Sequence, residues 1–154
     1  MLSGLTIGQH HVPFPLIQGG MGVRISGFRL AGHVALNGGI GIIAAAGLAL
    51  NSESYDGRNF FAADRQALLD ELRKAYAIAP DGVIGVNCMV AVKNYDEVVR
   101  TSCEGGAKLI ISGAGLPMNL PGLTADFPTV ALVPIVSSVK ATELIVRKWQ
   151  KTYQ

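Results

Sequence analysis

Along the chain, short runs that are apolar throughout alternate with longer segments in which apolar residues recur every three or four positions. The first run, PLIQGG (15–20), has strand length and stops on glycine. Ser26 stands where a helix N-cap belongs, and Leu30 and Val34 share a face of a predicted helix over 27–36 that Asn37-Gly38-Gly39 closes. IGIIAAAG (40–47) reads as a second buried strand, followed by a polar loop over 51–61. Leu68, Leu72, Ala75 and Ala79 lie at helical spacing and predict a helix from Asp64 to Ala79. VIGVNCMV (83–90) is strand three. Asn94-Tyr95-Asp96-Glu97 has the form of a capping box opening a helix that Gly105-Gly106 ends. KLIISGAG (108–115) is strand four, and an irregular stretch with Pro117, Pro121 and Pro128 leads to TVALVPIV (129–136), strand five. The last helix starts near Ser137-Ser138 and is expected to turn Leu144, Ile145 and Trp149 towards the core.

These are five β-α units in a row with no hairpin signal between them. Strands that are apolar throughout, rather than alternating, belong to parallel sheets covered on both faces. A doubly wound sheet and a (β/α)8 barrel both give this order. A complete barrel takes about 250 residues, so 154 residues correspond to about five of its eight units. No internal repeat or domain boundary stands out. The final KWQKTYQ has neither glycine nor proline to stop a helix, which leads us to expect a single N-terminal portion (1–154) of a longer protein.

Composition narrows the classes of function. Hydrophobic residues make up 49% and charged residues 16%, which argues against disorder. No apolar run approaches the roughly 20 residues of a membrane span, and MLSGLTIGQHH lacks the basic lead of a signal peptide. A net charge of +2 without basic runs gives no nucleic-acid footprint. The two cysteines, Cys88 and Cys103, fit a reducing, cytoplasmic setting better than a disulfide framework. Together with three scattered histidines they have no metal-ligand spacing, so no metal is expected.

Two glycine-rich stretches invite a nucleotide reading. Gly39-Ile40-Gly41-Ile42-Ile43-Ala44 matches G-x-G-x-x-A, but it follows a helix and opens a strand, the reverse of the order that aims helix amides at a pyrophosphate. Ser112-Gly113-Ala114-Gly115 does follow a strand. More telling is where small residues fall. Gly19, Gly20 and Met21 follow strand one, Ala45-Ala46-Gly47 ends strand two, Asn87 lies late in strand three, Ser112-Gly113 ends strand four, and Ser137-Ser138 follows strand five. Ligands of parallel α/β folds bind at this edge. Any one of these residues is accounted for by turn formation and close packing; five edges together point to a flat cofactor lying across the strand ends. Asn87, an amide in an otherwise apolar strand, needs polar partners that a cofactor can supply.

PLIQGGMG, LAGHVALNGGIGIIAAAG, IGVNCMV, LIISGAGLP and VPIVSSVKATE, in this order, resemble the flavin-dependent nitronate monooxygenases, formerly called 2-nitropropane dioxygenases. The flavin-dependent enoyl-acyl-carrier-protein reductases are close relatives of that family. The resemblance runs from about residue 13 to 148 and implies an α/β fold of the parallel (β/α)8 TIM-barrel type, with FMN at the strand C-terminal ends. It implies that Gly19 and Gly20 bring backbone to the isoalloxazine ring and that Met21 packs against it. Asn87 would hydrogen-bond the ring's polar edge, the Gly113-Ala114-Gly115 turn would form the pocket wall beside the strand-end residues Ala45 and Ser112, and Lys140 would contact the flavin. A lysine at the Lys140 position favours the monooxygenase over the reductase. The implied substrate is a small molecule, an alkyl nitronate oxidised with O2 to a carbonyl compound and nitrite, or alternatively an enoyl thioester. A third possibility is a non-catalytic flavin-binding or assembly module. The family's catalytic histidine, in an AGGH-type segment, would fall beyond Gln154, and His10, His11 and His33 are not positioned to replace it. A sheet of five strands that does not close leaves two edges, so self-association into a homo-oligomer is expected.

Overall fold

The computed structural model describes residues 3–23, 25–51, 55 and 57–153. Its frame is a parallel sheet of β3 (Ile40–Ala44), β4 (Val83–Met89), β5 (Leu109–Gly113) and β6 (Ala131–Pro134), hydrogen-bonded in that order. The register pairs Ala44 with Asn87, Asn87 with Ile111, and Ile111 with Val133. Between the strands run α1 (Phe28–Leu36), α2 (Phe60–Ile78), α3 (Tyr95–Glu104) and the short α4 (Leu120–Leu123), and α5 (Val139–Tyr153) follows β6. The observed strands are one to four residues shorter than the apolar runs, because the runs extend past the ladder into the adjoining turns, at both ends for β5 and β6.

The distribution of the helices decides between the two architectures left open by the element order. Ala31 and Ala35 of α1, Leu68, Leu72 and Ala75 of α2, Val99 and Cys103 of α3, and Leu120 of α4 form one buried cluster with Ile43, Ile84, Val86, Cys88 and Ile110. All four helices therefore cover the same face of the sheet. A doubly wound sheet would divide them between two faces; a barrel wall keeps them outside. The alternate strand positions, Ile40, Ile42, Val83 and Leu109, make a second cluster on the inner face.

That inner face is closed from below by a hairpin absent from the sequence reading: β1 (Leu5–Ile7) pairs antiparallel with β2 (His10–Val12) across Gly8-Gln9. Val12 joins the inner cluster, with Leu5 and Ile7 packed against it. The hairpin tip reaches across to the start of β6, where Gln9 Nε2 donates to the Thr129 carbonyl at 3.2 Å and His10 Nε2 lies 2.9 Å from the same oxygen. Strands of three residues are too short to display a period, which is why the pattern did not reveal them.

Strand one is also corrected. Only Ile17 forms a bridge, parallel to Ile40. Backbone bonds join Ile40 N–H to the Leu16 carbonyl at 2.8 Å and Gln18 N–H to the Ile40 carbonyl at 3.0 Å. Beyond that the Gln18 side chain replaces the ladder. Its Oε1 accepts the Ile42 N–H and its Nε2 donates to the Ile42 carbonyl, both at 3.1 Å.

Other local expectations differ in instructive ways. Ser26 does not cap α1. Gly27 occupies the N-cap position, and the Phe28 N–H is held by the Glu71 carboxylate of α2 at 2.6 Å. The buried face of α1 is Ala31, Gly32 and Ala35, with Leu30 exposed; a Cβ on Gly32 would meet Ile78 at 2.9 Å. Helix α2 begins at Phe60 rather than Asp64, and a 3-10 turn over Leu48–Asn51 leads into the expected loop. Residues 52–54 and 56 of that loop lie outside the described residues. Asn94 does stand at the N-cap of α3, without a side-chain cap bond. In α5, Ser138 Oγ accepts the Ala141 N–H at 3.2 Å, and Ile145 and Trp149 turn inward while Leu144 remains exposed.

Candidate functional site at the strand C-terminal ends

The loop after Gln18 is shaped by two side chains. Gln18 Nε2 donates to the Gly19 carbonyl at 3.0 Å and to Ser26 Oγ at 2.8 Å. Ser26 Oγ in turn accepts the Met21 N–H at 2.9 Å and donates to the Gly19 carbonyl at 2.8 Å. The hydroxyl thus uses its one donor and both acceptor sites. Backbone bonds from Ser26 N–H to the Met21 carbonyl (3.0 Å) and from Ala44 N–H to the Ser26 carbonyl (2.9 Å) tie the loop to the top of β3. The result leaves the N–H groups of Gly19 and Gly20 without a hydrogen-bond acceptor among the described residues, and the Met21 side chain exposed.

Asn87 lies directly beneath this loop. It shares the inner face with Val83 and Gly85 and is half-buried. A Cβ on Gly20 would run into the Asn87 Cβ, so glycine there is what allows the loop to descend onto the strand. The Asn87 carbonyl accepts the Ala45 N–H at 3.1 Å. Its side-chain amide has no hydrogen bond to the other described residues. Gly19, Gly20, Met21 and Asn87 are therefore gathered into one ledge at the mouth of the barrel wall, while Ala45 adjoins it through its backbone and buries its side chain in the helix-side cluster.

The remaining candidates sit differently. Ser112 shares the parity of Ile110 and points into the helix layer, where its Oγ lies 2.9 Å from the Tyr95 hydroxyl. Gly113 is on the inner face, and the space a Cβ would take is filled by Ile135 at 2.9 Å. Lys140 lies exposed in the first turn of α5, at the opposite end of the strand order from β3. His10 and His11 belong to the floor hairpin and His33 to α1, its Nδ1 lying 2.7 Å from the Arg29 carbonyl. None borders the ledge.

Burial keeps the ionisable groups behind the ledge neutral. The Cys88 thiol and the Tyr95 phenol are each pushed up to about 12 by desolvation, and Cys103 to about 11. None of them offers an anion for acid-base chemistry at neutral pH. The ledge offers amide donors, one carboxamide and an apolar thioether. Gln18 and Ser26, which set its shape, were not identified as site residues from sequence. A signal for Gln18 was present: it interrupts an apolar run just as Asn87 does.

The sequence profile of the nitronate monooxygenase family matches residues 4–152. The chain belongs to this nitronate monooxygenase family. Three solved structures resemble its fold. FabK from Thermotoga maritima, as the M276A mutant, superposes with a TM-score of 0.69 at 21% identity, covering 89% of this chain and 40% of that one. FabK from the same organism without the mutation gives 0.61 at 23% identity, over 89% and 38%. An IMP dehydrogenase/GMP reductase-like protein from Corynebacterium glutamicum ATCC 13032 Kitasato gives 0.61 at 14% identity, over 95% and 46%. At these identities the likeness establishes the fold, and this nitronate monooxygenase family chain spans less than half the length of each structure. A comparison with curated proteins gives no match. Among the described residues no helix is long and apolar enough to cross a membrane.

Proposed function

We propose that the chain forms the flavin-holding part of an FMN-dependent oxidoreductase of the nitronate monooxygenase type. The observation that carries this reading is the ledge itself: a glycine loop pinned by Gln18 and Ser26, resting on Asn87, in a chain of this family. The residues fit the group. Two backbone N–H groups without an acceptor among the described residues, an uncommitted carboxamide and an exposed methionine match the polar edge and apolar face of an isoalloxazine ring.

When bound, FMN supplies the redox chemistry, in this reading oxidation of an alkyl nitronate with O2 to a carbonyl compound and nitrite. The protein's part is binding and electrostatics. Gly19 and Gly20 would present amide donors, Met21 would cover the ring, Asn87 would hold its polar edge, and the backbone of Ala45 and of Ser112-Gly113 would bound the pocket. Lys140, exposed in the first turn of α5, would supply a positive charge. Oriented amides and a cation stabilise negative charge that develops on reduction, and they do so without reorganising. The proton acceptor implied by an AGGH-type segment has no counterpart at the ledge among the described residues.

Purified protein tests the proposal. A stoichiometric yellow flavin, and nitrite released from propyl nitronate without a nicotinamide cofactor, are the expected results. NADH or NADPH oxidation dependent on an enoyl thioester would instead select the reductase. Flavin binding with neither activity would select the non-catalytic module.

A further inference from the structure

Ser26 is buried, and its hydroxyl holds the two peptide groups that flank Gly20. It donates to the Gly19 carbonyl at 2.8 Å and accepts the Met21 N–H at 2.9 Å. Both of these peptide bonds are trans. In a trans peptide the C=O and the N–H point in opposite directions. Because the Gly19 carbonyl faces Ser26, the Gly20 N–H faces away from it. Because the Met21 N–H faces Ser26, the Gly20 carbonyl faces away as well. Gly20 therefore turns a donor and an acceptor away from the clasp together, and neither has a hydrogen-bond partner among the described residues.

The clasp has little freedom to turn. Gln18 Nε2 donates to both Ser26 Oγ and the Gly19 carbonyl, and the same side chain is anchored on Ile42 of β3. From below, Asn87 leaves no room for a Cβ on Gly20. A donor beside an acceptor selects its ligand. A planar edge that carries a carbonyl next to an N–H, as in a lactam or a cyclic imide, satisfies both groups. A carboxylate or a nitronate only accepts, and leaves the Gly20 carbonyl without a donor. We infer that Ser26 is a positioning residue that makes Gly20 a receptor for a carbonyl–N–H edge and sets how strongly the chain prefers ligands bearing one. Being buried, it acts through Gly20. The inference rests on the proposed function for identifying that ligand as FMN, whose ring carries a carbonyl on either side of its N3–H.

FMN and its N3-methyl derivative differ by that one donor. Their affinities for the purified chain are measured by flavin fluorescence titration in the parent, Ser26→Ala and Ser26→Thr. Methylation is expected to weaken binding about tenfold in the parent, the size of one hydrogen bond, and less than about threefold in Ser26→Ala. Ser26→Thr keeps the hydroxyl and should restore the parent's ratio. The ratio is the readout, because a serine that only stabilised the fold would weaken both ligands alike. Should Ser26→Ala not fold, Ser26→Cys takes its place: a thiol is a weak donor, and the ratio should fall there too. Equal affinities in the parent, or an unchanged ratio in Ser26→Ala or Ser26→Cys, would overturn the inference while FMN binding by the parent left the flavin reading standing. Binding of neither flavin would refute both.

Discussion

Gln18 holds both main-chain groups of Ile42, accepting its N–H and donating to its carbonyl, each at 3.1 Å. A side chain thus continues a β-ladder whose backbone has already turned away. Ile42 is fully buried, so neither group has recourse to water. Gln18→Ala should destabilise the fold by about 2–4 kcal/mol, the cost of stranding two buried backbone groups. Gln18→Glu keeps an acceptor but loses the donor to Ile42, Gly19 and Ser26, and should not rescue. Urea denaturation of the three proteins checks both statements.

The two glycines of the loop should behave differently. A Cβ on Gly20 collides with Asn87, whereas one on Gly19 meets nothing within 4 Å. Gly20→Ala is expected to lower the denaturation midpoint, and Gly19→Ala to leave it unchanged. Equal effects would mean that the loop does not rest on Asn87 as described.

Tyr95 couples the helix layer to β5 through its 2.9 Å contact with Ser112, and burial raises its pKa from 10.0 to about 12. The unfolded chain therefore ionises first. The stabilising contribution is complete below pH 10 and is lost as pH rises towards 12. Tyr95→Phe should cost about 1–2 kcal/mol at neutral pH by leaving Ser112 Oγ without its partner. Its stability should also fall less steeply than the parent's in the alkaline range, as measured by chemical denaturation across pH.

The sheet has an open edge beyond Ile17 and another beyond β6, neither paired among the described residues. Unpaired edges template association. Sedimentation velocity should show concentration-dependent self-association that Ile17→Lys weakens, since Ile17 is exposed on that edge.

Much of this fold was legible because parallel strands buried on both faces are apolar at every position. The helix carrying Leu68, Leu72, Ala75 and Ala79 was equally plain, and all four residues are buried. The hairpin was not legible, since three residues carry no period. The roles of hydroxyls were also misread from position alone. Ser26 looked like a cap because it precedes a helix, yet its hydroxyl is used up within the glycine loop. Ser112 looked like a pocket residue because it ends a strand. Strand parity would have placed it beside Ile110 on the helix side, as the same parity places Asn87 with Val83 and Gly85 on the inner face. Gln18 carried the same signal as Asn87, a polar residue interrupting an apolar run, but its role as a substitute for backbone pairing is not written in the hydrophobic pattern.

The central claim is that the ledge of Gly19, Gly20, Met21 and Asn87 holds a flavin. FMN titration of the purified chain, followed by visible absorbance and by quenching of flavin fluorescence, tests it most directly, with Asn87→Ala alongside. Saturable binding near one FMN per chain is expected, weakened about tenfold or more in Asn87→Ala, the loss of a hydrogen-bonding group worth about 1–3 kcal/mol. No binding by the parent chain, or equal binding by Asn87→Ala, would contradict it.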